Sequence, residues 1–115
     1  MARSHTAELM QGSLDLMVLK ALSFGPQHGY GVARWIAEVT GDVLSVEEGS
    51  LYPALHRLEE RRAVESYWGV SENNRRARYY ELSARGRQQL RADAASWQRF
   101  AAAVARVLAA PEPAL

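Results

Sequence analysis

The 115-residue chain has no cysteine, which excludes disulfides, thiolate metal sites and a cysteine nucleophile. No apolar run approaches the roughly 18 to 20 residues that cross a bilayer, and the start MARSHTAELMQG lacks the continuous apolar region of a signal peptide. The formal net charge is only +1, so overall charge says little about partners. These absences predict a cytoplasmic protein with no membrane segment, no redox role and no cofactor.

Positive charge is nevertheless concentrated in one part of the chain. Of the 14 basic residues, all but Lys20 are arginine. Six arginines lie between positions 73 and 91, where Glu81 is the only acid, whereas positions 38 to 60 are mostly acidic. The folded molecule is therefore expected to have a basic side.

The first half of the sequence predicts three helices. The first stops at Gly25-Pro26, and the second begins near Tyr30 and ends at Gly41, a residue type that readily takes a left-handed C-terminal cap. The third begins at Gly49-Ser50, with the serine as its N-cap and Pro53 in its first turn. The residues assigned to the inner sides are Met10, Leu14, Met17, Val18, Ala21 and Leu22 in the first helix, Val32, Ile36 and Val39 in the second, and Leu51, Leu55 and Leu58 in the third.

The third helix has a polar side opposite its leucines. Its helical periodicity places Ser50, Pro53, His56 and Arg57 outward, with Tyr52 at the flank. This arrangement predicts an exposed surface of hydrogen-bond donors and small groups.

The pattern then changes from helix to strand. Segments 63–70 and 76–82 are rich in β-branched and aromatic residues, and the SENN between them supplies asparagines that tolerate positive φ. A β-hairpin is therefore predicted, in which Tyr80 shares a buried face with Leu82.

A long helix is predicted to close the chain. Ser83 caps it, Gly86 weakens its first turn slightly, and it runs to about Ala110, before Pro111 and Pro113. The predicted fold class is mainly α with a small β-hairpin. It comprises a winged helix-turn-helix over residues 1–82, a C-terminal dimerisation helix over 83–110 and a loose tail over 111–115.

This order of elements indicates binding to double-stranded DNA. A helix presented after a shorter helix across a turn is the unit that enters the major groove. The β-hairpin next to this helix is called the wing. Arginines near its tip can contact phosphates or enter the minor groove, so DNA binding is compatible with a small net charge.

Four segments also resemble a known family: MQGSLDLMVLKAL, GPQHGYGVARWI, VEEGSLYPALHRLEERR and WGVSENNRRARYYELSARGRQQL. Over about residues 8 to 108 the chain resembles the PadR family of bacterial transcriptional regulators, in its short form with one C-terminal helix. The resemblance implies a homodimeric winged-helix repressor that leaves its operator when a small aromatic or hydrophobic effector is present.

The resemblance also implies a set of DNA contacts. They are Ser50, Tyr52, Pro53, His56 and Arg57 at bases and nearby phosphates, Asn74, Arg75 and Arg76 at the groove flank, and His28 and Tyr30 near a phosphate. Four acids, Glu47, Glu48, Glu59 and Glu60, would repel phosphate there. We therefore expect them at the back of the interface or paired with Arg61 and Arg62.

The last helix has the heptad spacing of a helix that pairs with another helix. The predicted dimer interface consists of Leu90, Ala94, Trp97, Ala101, Val104 and Leu108. Its partner is expected to be the same helix or the first helix of a second copy. The two winged helix-turn-helix domains, here called the heads, would then read an inverted repeat. Trp97 either fills the dimer core or, with Phe100, stacks on a planar effector, and both interpretations stay open.

The sequence leaves three alternatives to DNA binding, each with weaker support. An enzyme is disfavoured because His5, His28 and His56 are widely separated and no catalytic motif occurs. A metal site at His56 with Glu47 or Glu48 lacks a spaced ligand cluster. The remaining alternative is a winged-helix adaptor that binds protein without DNA, which should show apolar anchors on the third helix.

Overall fold

The computed structural model describes residues 2–114 and their side chains from residue 12 onward, so the predicted burial of Met10 lies outside the described side chains. Its elements, in order, are α1 Ala2–Leu22, β1 Gln27–His28, α2 Gly29–Val39, α3 Glu48–Glu60, β2 Val64–Val70, β3 Arg76–Leu82 and α4 Ala84–Ala109. The predicted fold class is confirmed, and the predicted bounds of the hairpin differ from the observed ones by one residue.

The core lies where α1, α2 and α3 meet the base of the hairpin. Leu19, Ile36, Leu51 and Leu55 are almost completely buried there, and the predicted leucine stripe of α3 is confirmed. The predicted burial of Val39 is wrong, since its exposed fraction is 61%. Val39 is the last residue of α2, where the helix has already passed the edge of the core.

The helix ends only partly follow the sequence prediction. Gly41 has the expected left-handed φ of 58°, and the amides of Gly41 and Asp42 donate to the carbonyls of Glu38 and Ala37, which forms a Schellman motif. Ser50 is not an N-cap, because α3 begins two residues earlier, after Glu47, whose side chain makes no capping hydrogen bond. Ser83 does cap α4, accepting from the amide of Gly86.

The hairpin belongs to a three-stranded antiparallel sheet in the order β1-β3-β2. The additional strand, β1, pairs Gln27 with Tyr80 and His28 with Tyr79. At the turn, Asn74 takes the predicted positive φ, at 59°. Because β1 leads directly into α2, the wing is fixed to the start of that helix.

The start of α4 approaches the backbone just before β2 very closely. A Cβ added to Gly86 would lie 2.0 Å from the carbonyl oxygen of Ala63, so glycine is required for this packing. The slight weakening of the first turn by Gly86 stays a prediction, and the sequence did not indicate this packing role. The far half of α4 extends away from the head, and the molecule measures 65 × 29 × 28 Å.

Candidate nucleic-acid interface

The outer face of α3 is formed by exposed residues opposite the buried leucines: Gly49, Ser50, Pro53, His56 and Glu60. Ser50, Pro53 and His56 are exposed as predicted. A helical projection places Tyr52 on the flank that faces α2 and the sheet, and Arg57 on the flank that faces α1. The face itself presents small and polar groups.

Tyr52 packs against the first residue of α2. A Cβ on Gly29 would lie 3.1 Å from both Cε1 and the hydroxyl of Tyr52, so a larger residue at position 29 would press on the ring. Tyr52 and Tyr30 remain 47% and 67% exposed, and both line a groove of about 630 Å³ between α2 and α3. Gly29 thus brings two exposed tyrosines to the same edge of the helix pair.

The expectation that Arg57 projects outward is wrong. Its Nη2 lies 2.7 Å from Oδ1 of Asp15 on α1, its Nε lies 3.4 Å from Oδ2, and the Arg57 side chain is 26% exposed. Arg61 Nη1 lies 3.8 Å from the same carboxylate, which is itself buried. Asp15 was not singled out from the sequence, although an acid within the apolar run LDLMVL is the signal that could have found it.

His28 is buried at the junction of β1 and α2. Its Nδ1 accepts a hydrogen bond of 3.0 Å from the amide of Gly31, which leaves the ring proton of a neutral imidazole on Nε2. That nitrogen has no hydrogen-bond partner among the described atoms, and Oε1 of Glu72, in the hairpin turn, lies 3.4 Å from it. His28 therefore caps the helix, and its contact with a phosphate stays a prediction.

The wing presents arginines around an exposed tryptophan. Arg76 lies 4.3 Å and Arg78 5.5 Å from the centre of the Trp68 ring, within cation–π range. Arg75 and Asn74 are exposed at the turn. Three of the six arginines between positions 73 and 91 therefore lie on the hairpin and the other three on α4, and Arg76 and Arg78 contact one ring.

The acids were expected at the back of the interface or paired with Arg61 and Arg62, and for Glu60 this is wrong, since it is exposed on the outer face of α3. Glu59 does not pair with Arg61 or Arg62: it accepts a hydrogen bond from Ser66 and lies 3.5 Å from Nη2 of Arg78. The reason is that Glu59 lies on the flank of α3 nearest the sheet. This contact joins the end of α3 to the wing.

Tyr80 lies beneath this contact and is buried together with Leu82, as predicted. Burial raises the pKa of the Tyr80 phenol, and the nearby Arg78 partly offsets the rise. The folded state therefore keeps the phenol protonated to a higher pH than the unfolded chain does.

The predicted dimer stripe begins partly covered and becomes exposed along α4. Leu90 and Ala94 are half-buried, whereas Ala101 is exposed and Trp97, Val104 and Leu108 are 41%, 40% and 80% exposed. Trp97 contacts Phe100, with ring centres 5.8 Å apart. The described part of the chain contributes nothing that covers these side chains, and both interpretations of Trp97 stay open.

Two properties of the described residues bear on the other function classes. Within residues 12–114, no group of three His, Cys, Asp or Glu side chains is placed to hold a metal ion. No described helix is long and apolar enough to cross a membrane.

Comparison with known proteins identifies similar chains. The model of a family described as "Transcriptional regulator PadR-like family" matches residues 18–92. A PadR family transcriptional regulator from Eggerthella lenta is 27% identical, with a TM-score of 0.74 and coverage of 96% of this chain and 94% of that one. A transcriptional regulator from Clostridium thermocellum is 25% identical, with a TM-score of 0.77 and coverage of 86% and 96%.

A third similar protein is longer. An uncharacterised 37.1 kDa protein from a transposon of Streptomyces fradiae is 38% identical over 90 residues, which are 78% of this chain and 24% of that protein.

Proposed function

The chain belongs to the transcriptional regulator PadR-like family, and from this premise we propose that it is a repressor that binds an inverted-repeat operator as a homodimer and is released by a small hydrophobic or aromatic effector. The observation that carries the proposal is the junction of α3 with an arginine-bearing wing. Glu59 of α3 lies 3.5 Å from Arg78 of the wing, and Glu72 at the turn lies 3.4 Å from His28 at the start of α2.

These contacts support different roles for α3 and the wing in DNA binding. With α3 in the major groove, Ser50, Pro53 and His56 would face base edges, and the wing would reach the adjacent backbone or minor groove. Arg75 and Arg76 then supply attraction that depends on salt and not on sequence. Apolar anchors, which a protein-binding adaptor would need there, are lacking among the described residues of the outer face of α3.

The homodimer is supported by the exposed stripe of α4. Aromatic and aliphatic side chains at heptad spacing, left 40% to 80% exposed from Trp97 to Leu108, fit a second copy of the same helix. Two heads joined in this way would contact half-sites about one DNA turn apart.

The effector is supported by the pair of Trp97 and Phe100, whose rings meet at an interplanar angle of 43°. In a dimer, their flat surfaces would line the space between subunits, where a planar molecule could stack. Binding of an effector there would change the spacing of the two heads and lower their affinity for DNA.

Fluorescence anisotropy of labelled DNA from upstream of the protein's own gene tests the proposal. We expect binding at two protomers per site, a steep salt dependence and a clear preference over a scrambled duplex. Equal, weak binding to both duplexes, followed by no enrichment from a randomised duplex pool, would contradict sequence-specific regulation and favour the adaptor.

Effector binding is measured separately, by Trp97 fluorescence and by release of DNA. In a Trp35→Phe/Trp68→Phe background, planar aromatic compounds should quench Trp97 and release the DNA. A varied panel that does neither would leave Trp97 as packing alone.

A further inference from the structure

We propose that Asp15 is a positioning residue for sequence readout: it holds Arg57 so that the remaining edge of the guanidinium binds a guanine in the major groove. The inference rests on the proposed function and deepens it, because it names the base that Arg57 binds and the side chain that orients Arg57. Asp15 lies on α1, outside both elements that are proposed to contact DNA.

The ion pair uses one defined edge of the arginine. Arg57 Nη2 donates to Oδ1 of Asp15 at 2.7 Å and Nε donates to Oδ2 at 3.4 Å. A guanidinium has five N–H donors in a rigid plane, so two donors point to the carboxylate and three remain. The remaining donors are both hydrogens of Nη1 and the second hydrogen of Nη2. This Nη2 hydrogen and one Nη1 hydrogen are parallel and form the terminal edge, whereas the other Nη1 hydrogen points back toward Cδ. Two parallel N–H groups on such an edge match O6 and N7 of guanine.

The location of the Asp15–Arg57 ion pair suits an arginine that is held in place before it contacts a base. The Asp15 side chain is only 7% exposed, so the anchor is fixed in the core, whereas the Arg57 side chain retains 26% exposure. Arg57 also borders an open groove of about 620 Å³ together with Ser50 and Pro53, two of the predicted base contacts. The arginine therefore turns toward α1 but still borders the groove that Ser50 and Pro53 line.

Stability alone is a weak explanation for this arrangement. A buried ion pair contributes little compared with apolar residues of the same volume, but it fixes the geometry of its members. A long side chain that is ordered before binding loses less conformational entropy when it meets a base. Asp15 would in this way sharpen discrimination more than it strengthens overall attraction.

Charge in the cluster remains favourable for DNA. Arg61 Nη1 lies 3.8 Å from the same carboxylate, and the Arg61 side chain is 55% exposed. One carboxylate therefore faces two guanidinium groups, which leaves the cluster with an excess positive charge. A phosphate beside the base would meet this excess without displacing Asp15 from Arg57.

The test begins with selection of the preferred site from a randomised duplex pool by the full-length wild-type protein. Each base pair of that site is then replaced in turn, and affinities are measured for wild type, Arg57→Ala, Asp15→Asn, the double variant and Asp93→Asn. Asp93 is an exposed acid of α4, so Asp93→Asn is the matched chemical control.

We expect Arg57→Ala to lose about tenfold or more in discrimination at one G·C pair of each half-site. Asp15→Asn should lose most of the same preference at the same pair while its binding to scrambled DNA and its salt dependence stay near wild type. The double variant should lose no more than Arg57→Ala, and Asp93→Asn should match wild type.

A purely structural pair gives a different pattern. Asp15→Asn would then melt at a lower temperature and keep wild-type discrimination at every base pair, which overturns the inference. If Asp15→Asn fails to fold, Arg57→Lys decides, because lysine keeps the charge near Asp15 but lacks the two-pronged edge. Guanine discrimination at the full wild-type level in Arg57→Lys also overturns the inference, because lysine can contact O6 and N7 but cannot present a fixed edge. Failure of the wild-type protein to enrich any sequence is distinguishable, since it contradicts the proposed function itself.

Discussion

At the scale of single residues, Gly86 determines whether the long helix can join the head. Its Cα lies so close to the backbone that an added Cβ would stand 2.0 Å from the Ala63 carbonyl oxygen. That oxygen already accepts hydrogen bonds from the amide and hydroxyl of Ser83, so it has little freedom to retreat. The absence of a Cβ at position 86 therefore permits both the cap and the close packing.

Gly86→Ala should lower the free energy of unfolding by about 1–3 kcal/mol, the usual cost of overpacking. Urea denaturation followed by circular dichroism measures the change. Gly12→Ala is the matched control, because a Cβ there meets nothing within 4 Å and alanine favours the helix by about 0.5–1 kcal/mol. Equal effects of the two substitutions would contradict the role of the Ala63 contact.

Tyr80 gives the protein a pH dependence at the alkaline end. Burial raises the pKa of its phenol in the folded state, so the unfolded chain ionises first as pH rises. The stabilisation is complete below about pH 10, the pKa of an unfolded tyrosine, and is lost as pH rises through the folded-state pKa. Tyr80→Phe should remove this part of the decline in stability above about pH 10. An identical decline in the variant would show that other groups cause it.

At the scale of elements, the sequence predicts what depends on local pattern. The hairpin was predicted to within one residue because β-branched and aromatic residues are concentrated on both sides of a turn, and Asn74 takes the left-handed φ that its residue type tolerates. By contrast, β1 has only two residues, Gln27 and His28, and so has no period to detect. Its pairing with β3 arises from tertiary packing.

The candidate site was predictable in position but not in its internal contacts. Ser50, Pro53 and His56 are exposed because the helical period fixes which side the leucines bury. The partner of Arg57 lies 42 residues away on another helix, and no local pattern joins Asp15 to it. The same applies to Glu59, whose partner Arg78 is brought near by the sheet.

The wing should contribute to DNA binding through charge. If Arg75 meets a phosphate, Arg75→Ala will weaken binding to specific and random DNA alike, and the slope of log K against log salt will fall by about 1 per contact in each subunit. Anisotropy titrations at several salt concentrations measure this slope. Arg99→Ala, which removes an exposed arginine of α4, is the matched control. An unchanged slope in Arg75→Ala would exclude a phosphate contact by this residue.

At the scale of the whole molecule, the shape is that of a head with a long projecting helix. The longest dimension, 65 Å, is more than twice the other two, at 29 and 28 Å. Several large apolar side chains of α4 lie on this projection, and Val107 and Leu108 near its end are 74% and 80% exposed. A helix with so much uncovered apolar surface gains stability by pairing, and the proposed dimer provides this.

Val104→Glu should therefore convert the proposed dimer into monomers. Val104 lies on the heptad stripe, where a buried carboxylate in each subunit would be desolvated and would face its copy. Val107→Glu is the control, because position 107 flanks the stripe, where glutamate is common in paired helices. Sedimentation velocity should show the monomer for Val104→Glu and the dimer for Val107→Glu. The monomer should also bind operator DNA far more weakly, since each head then makes only half of the contacts, whereas a dimer that survives Val104→Glu would move the interface away from this stripe.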